Sequence, residues 1–241
     1  GGRLTLCVLC NETVKRREEM ERVDSLLGEI RDLLRPLEEK ILQHPYLADL
    51  EGKKIGREKL KDFIGEQHRI IPSDLRSVGV LLTRHGVPPG RDFFMMVLQG
   101  EAEALKGLDR FASALGVSSQ ELEEYEPLPE AQAYKAYMAW LALYGSAAEV
   151  AGAFLANFPA WGANCGRMKK ALIEGYGFKA EDLYFFELFS TPVPEFEEKA
   201  RHVIDGGISR GVEPRAIREA ARMLQAYELM YWDALHGISS G

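Results

Sequence analysis

The 241-residue chain predicts an all-α domain, and three observations carry that prediction. Apolar residues recur at helical spacing in almost every segment. Strand signals are weak throughout, the one candidate being the short terminal segment 4–9. Proline and glycine clusters such as Gly86-Val87-Pro88-Pro89-Gly90 and Thr191-Pro192-Val193-Pro194 divide the chain into about eight to ten helical stretches. That is larger than a simple four-helix bundle.

The elements follow in order. Residues 14–42 form a charged helix with Leu26, Leu27, Ile30, Leu33, Leu34, Leu37 and Ile41 on one face. Pro36 falls inside it, and His44-Pro45 ends it. After a turn at residues 52–56, a second helix starts near Arg57 with Leu60, Phe63, Ile64, Gln67 and Ile71 on one stripe. Pro72 kinks or breaks it, and helix resumes over residues 73–84. Helix returns at 93–115, and residues 121–126 make a short helix or loop. Pro129 opens the next helix, which runs to Tyr144. Ser146 caps a helix through Leu155, and Pro159 sits in the first turn of another that reaches Glu174. Short helices cover 180–189 and 195–205. Glu213-Pro214 starts the last helix, which ends near Gly237.

Composition excludes several classes. Apolar residues make up 46% and charged residues 28%, an ordinary globular balance able to fill a substantial core. Net charge is −7, and the one basic cluster, Lys15-Arg16-Arg17, runs straight into Glu18-Glu19. This argues against nucleic acid as a partner. No apolar run approaches the roughly 20 residues that span a membrane. Residues 4–10 are too short for the apolar region of a signal peptide, so the expected compartment is the cytoplasm. Cys7 and Cys10 form a lone CxxC without the second ligand pair of a common zinc site. They read as part of a packed or poorly ordered N-terminal segment.

Candidate chemistry begins with Glu228. The stripe Ile217, Ala221, Leu224, Glu228, Tyr231, Leu235 advances by four, three, four, three and four, so all six share one helical face. A carboxylate on such a face costs several kcal/mol unless partnered or protonated. It is either a site or a buried acid satisfied by Arg or Tyr. Gln67 likewise interrupts an apolar stripe, and Tyr134 heads the stripe Tyr134, Met138, Leu141. Aromatics are dense around these segments: Tyr137, Trp140, Tyr144, Trp161, Tyr184, Phe185, Phe186, Tyr231 and Trp232. Together they describe an aromatic pocket with a few polar groups or, alternatively, a large aromatic core. His68, beside Gln67, reads as a partly buried histidine. Glu198 with His202, and Asp233 with His236, have one-face spacing but read as exposed ion pairs.

Several segments resemble the TenA (thiaminase II) family. They are His44-Pro45-Tyr46, Leu60-Lys61-Asp62-Phe63-Ile64, Ala133-Tyr134-Lys135-Ala136-Tyr137-Met138, Pro194-Glu195-Phe196-Glu197 and Glu228-Leu229-Met230-Tyr231-Trp232-Asp233-Ala234. They keep family order over residues 44–236. The resemblance implies a heme oxygenase-like multi-helix bundle. It implies residues 44–238 as the family domain, with 1–43 as an N-terminal extension and first helix. It further implies a homo-oligomer, dimer or tetramer, and hydrolytic salvage of thiamin or its aminopyrimidine through a cysteine nucleophile, a ring-anchoring Asp and a terminal-helix Glu.

Transferred residue by residue, Glu228 matches the acid/base Glu and Tyr134 a pocket tyrosine. Gln67 stands where the Asp is expected. Asn157 or Phe158 stands where the cysteine is expected, with Cys165 about two turns further on. Ile70 and Thr191 take the places of pocket tyrosines.

The expectation is a catalytic Glu228 with Gln67, His68, Tyr134, Tyr137, Asn157, Phe158, Trp161 and Tyr231 around a small planar, pyrimidine-like heterocycle. No metal, cofactor, nucleic acid or membrane partner is expected. The alternatives are a non-catalytic ligand-sensing or interaction relative, and an oxidase of the metal-dependent or PqqC kind on the same fold. Residues 189–198 lack the histidines of a di-iron run, which counts against the di-iron form.

Overall fold

A computed structural model describes the backbone of residues 2–239 and the side chains of residues 20–237 except Glu58. Within the described residues all regular structure is helical. The order is α1 (Gly2–Leu42), α2 (Pro45–Glu51), α3 (Arg57–Arg84), α4 (Gly90–Leu115), α5 (Ser119–Glu124), α6 (Pro129–Tyr144), α7 (Ala147–Tyr176), a 3₁₀ turn (Ala180–Leu183), α8 (Tyr184–Ser190), α9 (Pro194–Ser209) and α10 (Pro214–Ser239). The strand candidate at 4–9 is backbone of α1. The side chains of Cys7 and Cys10 lie outside those described.

Local chemistry explains most boundaries. Ser118 and Ser146 each accept a hydrogen bond from the third residue of the helix they precede, and Glu121 and Glu149 bond back to the cap. Pro129 and Pro194 occupy first turns, where the missing N–H costs nothing. His44 Nδ1 accepts from the Tyr46 amide to start α2.

Two prolines depart from the sequence expectation. Pro72 neither ends nor splits α3, and Pro159 lies in the middle of α7 rather than opening a new helix. A proline inside a helix loses one backbone hydrogen bond and crowds the preceding turn. Both helices absorb that cost because they are packed along their length. α7 carries α8, α9 and α10, while α3 carries α4 and α6.

The buried side chains form two clusters. One gathers around Phe63, Phe185, Phe186 and Trp232, the other around Phe93, Phe94, Leu141 and Leu224. Tyr134 packs against both. α1 contributes Val23, Leu26, Leu27, Ile30 and Leu34 to the second cluster and packs against α7, α9 and α10. No helix among the described residues is long and apolar enough to cross a membrane.

Candidate functional site

All six residues of the α10 stripe are buried, and Glu228 is only 2% exposed. Its carboxyl is held from two sides. The Asn157 side-chain amide, on α7, donates to Oε2. The Trp232 indole N–H, one turn along α10, donates to Oε1 at 3.1 Å. Asn157 also donates to Gln225 Oε1 at 3.2 Å and accepts from the Tyr134 hydroxyl at 3.2 Å. Thus α6, α7 and α10 are joined by one polar chain, Tyr134–Asn157–Glu228–Trp232.

Burial raises the Glu228 pKa to about 8, although the Trp232 and Asn157 hydrogen bonds pull it down. Glu38, on α1, pushes it up further by like charge. The desolvation effect wins because two neutral donors recover only part of the hydration a charged carboxylate loses. Glu228 is therefore mostly protonated at pH 7.

Register of α10 is fixed by its aromatic and polar neighbours. Trp232 is fully buried between Tyr46 (centroids 5.6 Å apart) and Trp161 (5.6 Å). Further along, His44 Nε2 meets Asp233 at 3.0 Å and His236 Nε2 meets Asp49 at 3.2 Å. Asp233 and His236, paired by spacing in the sequence, each reach across to a residue at or in α2.

A cavity of about 50 Å³ opens beside Glu228. Gln67, Tyr134, Asn157, Phe158, Trp161 and Tyr231 all line it. Two predicted site residues lie elsewhere. Tyr137 stacks on Trp140 with centroids 5.7 Å apart and planes 8° apart, and also meets Tyr227. His68 lies on the α3 surface beside Gln67, partly buried and outside the lining. His68 falls on a different face of α3 from its neighbour Gln67, whereas Tyr137 shares the face of Tyr134 but sits a turn further along α6, against Trp140 and Tyr227. Cys165 is fully buried but absent from the lining, and burial, then the Glu228 charge, push its thiol pKa well up. Such a thiol is not a ready nucleophile.

The lining also contains two acids that the sequence reading missed, Asp74 on α3 and Glu101 on α4. Asp74 is 7% exposed, and its Oδ1 has no hydrogen-bond partner. Burial, then the neighbouring Glu101 charge, raise its pKa well above the usual carboxylate value. Burial raises Glu101 to about 7.

Both acids had a visible signal. Asp74 stands seven residues beyond Gln67, on the same face of an α3 that continues through Pro72. Glu101 interrupts the stripe Phe94, Val97, Ala104, Leu108, Phe111, every other member of which is buried. That is the same pattern as Glu228.

Glu101, Phe158 and Phe189 line this cavity and also a much larger cleft of about 770 Å³ between α1, α4, α7 and the α8–α9 junction. Phe189 reaches this position because α8 sits directly on Gly162. A Cβ there would meet the Phe189 carbonyl oxygen at 2.6 Å. No group of three or more His, Cys, Asp or Glu arranged to hold a metal occurs among the described residues.

The TENA/THI-4/PQQC family model matches residues 31–236, most of the chain. The chain belongs to this family. Solved TenA homologues share its fold at low identity. The one from Pyrococcus horikoshii OT3 is 17% identical with a TM-score of 0.70, covering 87% of this chain and 97% of its own. The one from Pseudomonas syringae pv. tomato is 12% identical with a TM-score of 0.75, covering 87% and 92%. A domain of unknown function with a heme oxygenase-like fold, from Shewanella denitrificans, is 13% identical with a TM-score of 0.73, covering 89% and 93%. No curated protein matches the chain. The TenA fold and the all-helical reading of the sequence therefore agree.

Proposed function

We propose that this TenA-family protein binds a small planar nitrogen heterocycle, pyrimidine-like, against Glu228, and hydrolyses it with Glu228 as acid and base. The observation that carries this reading is the tethered carboxyl with a pKa of about 8 on the wall of an aromatic cavity. Both Glu228 oxygens already accept a hydrogen bond, from Asn157 and Trp232. With both oxygens so engaged, a proton on Glu228 is available to a group bound in the cavity that its carboxyl lines. Donated to an amino leaving group, it makes ammonia the departing species. The resulting carboxylate takes a proton from the incoming water. Trp161 and Tyr231 supply ring faces for a flat ligand, and Gln67 supplies an amide for a ring nitrogen.

The test is incubation with thiamin and with 4-amino-5-aminomethyl-2-methylpyrimidine, reading out the hydroxymethylpyrimidine product. Product formation that Glu228→Gln abolishes is the expected result. Absence of both product and binding by calorimetry overturns the reading.

One observation favours a second reading, a ligand-binding protein without turnover. The place where the TenA resemblance expects a thiol falls at Asn157 or Phe158, neither of which carries one, and the Asn157 amide is fully engaged in hydrogen bonds. On that reading Glu228→Gln leaves ligand affinity within about threefold, roughly 0.6 kcal/mol, of the parent.

We further propose self-association through the aromatic strip of α6. On α6, Trp140 is 48%, Leu143 56% and Tyr144 71% exposed, and the Trp140 and Tyr144 rings meet with centroids 5.8 Å apart. Large exposed apolar side chains in one strip are a common mark of an interface.

A further inference from the structure

The inner cavity has an unbalanced charge set. Three of its lining residues are carboxylic acids, Asp74, Glu101 and Glu228, and none is Lys, Arg or His. Lys135 acts on Asp74 by its charge, but its ammonium bonds to the Arg69 carbonyl at 3.4 Å. Glu228 has its donors, but Asp74 does not. A buried carboxylate oxygen without a partner is costly and rare in a folded protein. It lies next to a second acid, Glu101, which stands at the junction where the cavity meets the cleft. The Tyr134 hydroxyl cannot relieve the pair, because it donates to Asn157.

We propose that Asp74 and Glu101 form a binding subsite for a cationic nitrogen of the ligand, an ammonium or amidinium group. Such a group brings donors to the unpartnered Asp74 oxygen and a positive charge between two acids that otherwise repel. The subsite lies on α3 and α4, whereas Glu228 lies on α10, so the pair sets ligand choice and Glu228 remains the group for proton transfer. Glu228 is acid and base toward a leaving amine that enters neutral, and base to the incoming water alone when the amine is held as ammonium and already carries the proton with which it departs. This inference deepens the heterocycle reading by naming the charge of the ligand. It does not need that ligand to be a pyrimidine.

The experiment is calorimetric titration at pH 7 with two matched pairs of probes. The first pair is 4-amino-5-aminomethyl-2-methylpyrimidine and its neutral 5-hydroxymethyl counterpart. The second is benzylammonium and benzyl alcohol, which contain no pyrimidine. The parent protein is expected to prefer the cation of a pair by about tenfold or more, the scale of one charge-assisted hydrogen bond. Asp74→Asn with Glu101→Gln is expected to reduce that preference to about threefold or less, and Glu228→Gln to retain it. Each single variant removes one charge and carries the same readout should the double variant not fold.

If benzylammonium is preferred through Asp74 and Glu101 while neither pyrimidine binds, the subsite stands and the pyrimidine reading falls. If the pyrimidines bind without regard to charge, the subsite is overturned and the heterocycle reading stands. A cation preference that survives in the double variant, or no preference in the parent, also overturns the proposal.

Discussion

The Asn157 amide on α7 donates to the Glu228 carboxyl on α10, across the interface between two helices that both line the cavity. Because Asn157 also accepts from Tyr134, one side chain sets the orientation of both its neighbours. Removing it separates structural from chemical roles.

Asn157→Ala is expected to destabilise the protein by about 1–3 kcal/mol, the cost of leaving buried partners unsatisfied. The Asn157 bond lowers the Glu228 pKa, so it favours the charged carboxylate. The loss should therefore be larger at pH 9 than at pH 6. Urea melts at the two pH values check this.

Stability itself should fall as pH rises from about 4.5 to 8. Glu228 has a folded-state pKa of about 8 and Glu101 of about 7, both above the ordinary value of 4.5. The folded state then holds protons that the unfolded chain releases, and a stabilising contribution complete below pH 4.5 is lost as pH climbs through the folded-state values. Glu228→Gln, permanently neutral but able to accept from only one of Asn157 and Trp232, should melt slightly below the parent at pH 5. At pH 9 it should melt at least about 4 °C above it. Equal melting temperatures at pH 9 would show that Glu228 is not desolvated.

Gly162→Ala places a methyl group against the Phe189 carbonyl, and that oxygen is backbone with little room to yield. A loss of about 1–3 kcal/mol is expected, as for other overpacked contacts. Phe189 should shift with α8, so ligand binding should weaken more than in a control of equal stability loss elsewhere, such as Ala171→Gly. Chemical denaturation and calorimetry on the two variants decide it.

Trp140→Glu tests the proposed self-association. The side chain is 48% exposed in the single chain and stacks on Tyr137, so folding should be little affected, within about 1 kcal/mol. Light scattering is expected to show a multimer for the parent and a smaller species for the variant. A parent that runs as a monomer removes the proposal.

Much of the helical scheme was legible because each signal is local. Pro129 and Tyr144 bound α6 as the sequence predicts, and Ser146 caps α7 through a neighbour three residues away. Glu228 was legible for the same reason, since its six-residue stripe lies within one helix. Asp74 was hidden by Pro72. Treating that proline as a break ended the stripe at Ile71, whereas neighbouring helices hold α3 intact and carry its polar face one turn further. His68 fell outside the cavity because the residue next to Gln67 faces another way, and Tyr137 because a shared face does not fix how far along the helix the cavity extends.

By itself the sequence determined the all-helical class, the membership of α10 residues in one buried face, and the anomaly of a carboxylate there. These follow from helical periodicity and the cost of burying charge, both of which are written in a single segment. Only the tertiary structure decided what Glu228 meets. Its partner Asn157 lies 71 residues away, and Asp74 and Glu101 come from two further helices. Convergence of that kind depends on how helices pack, and no spacing within one helix encodes it.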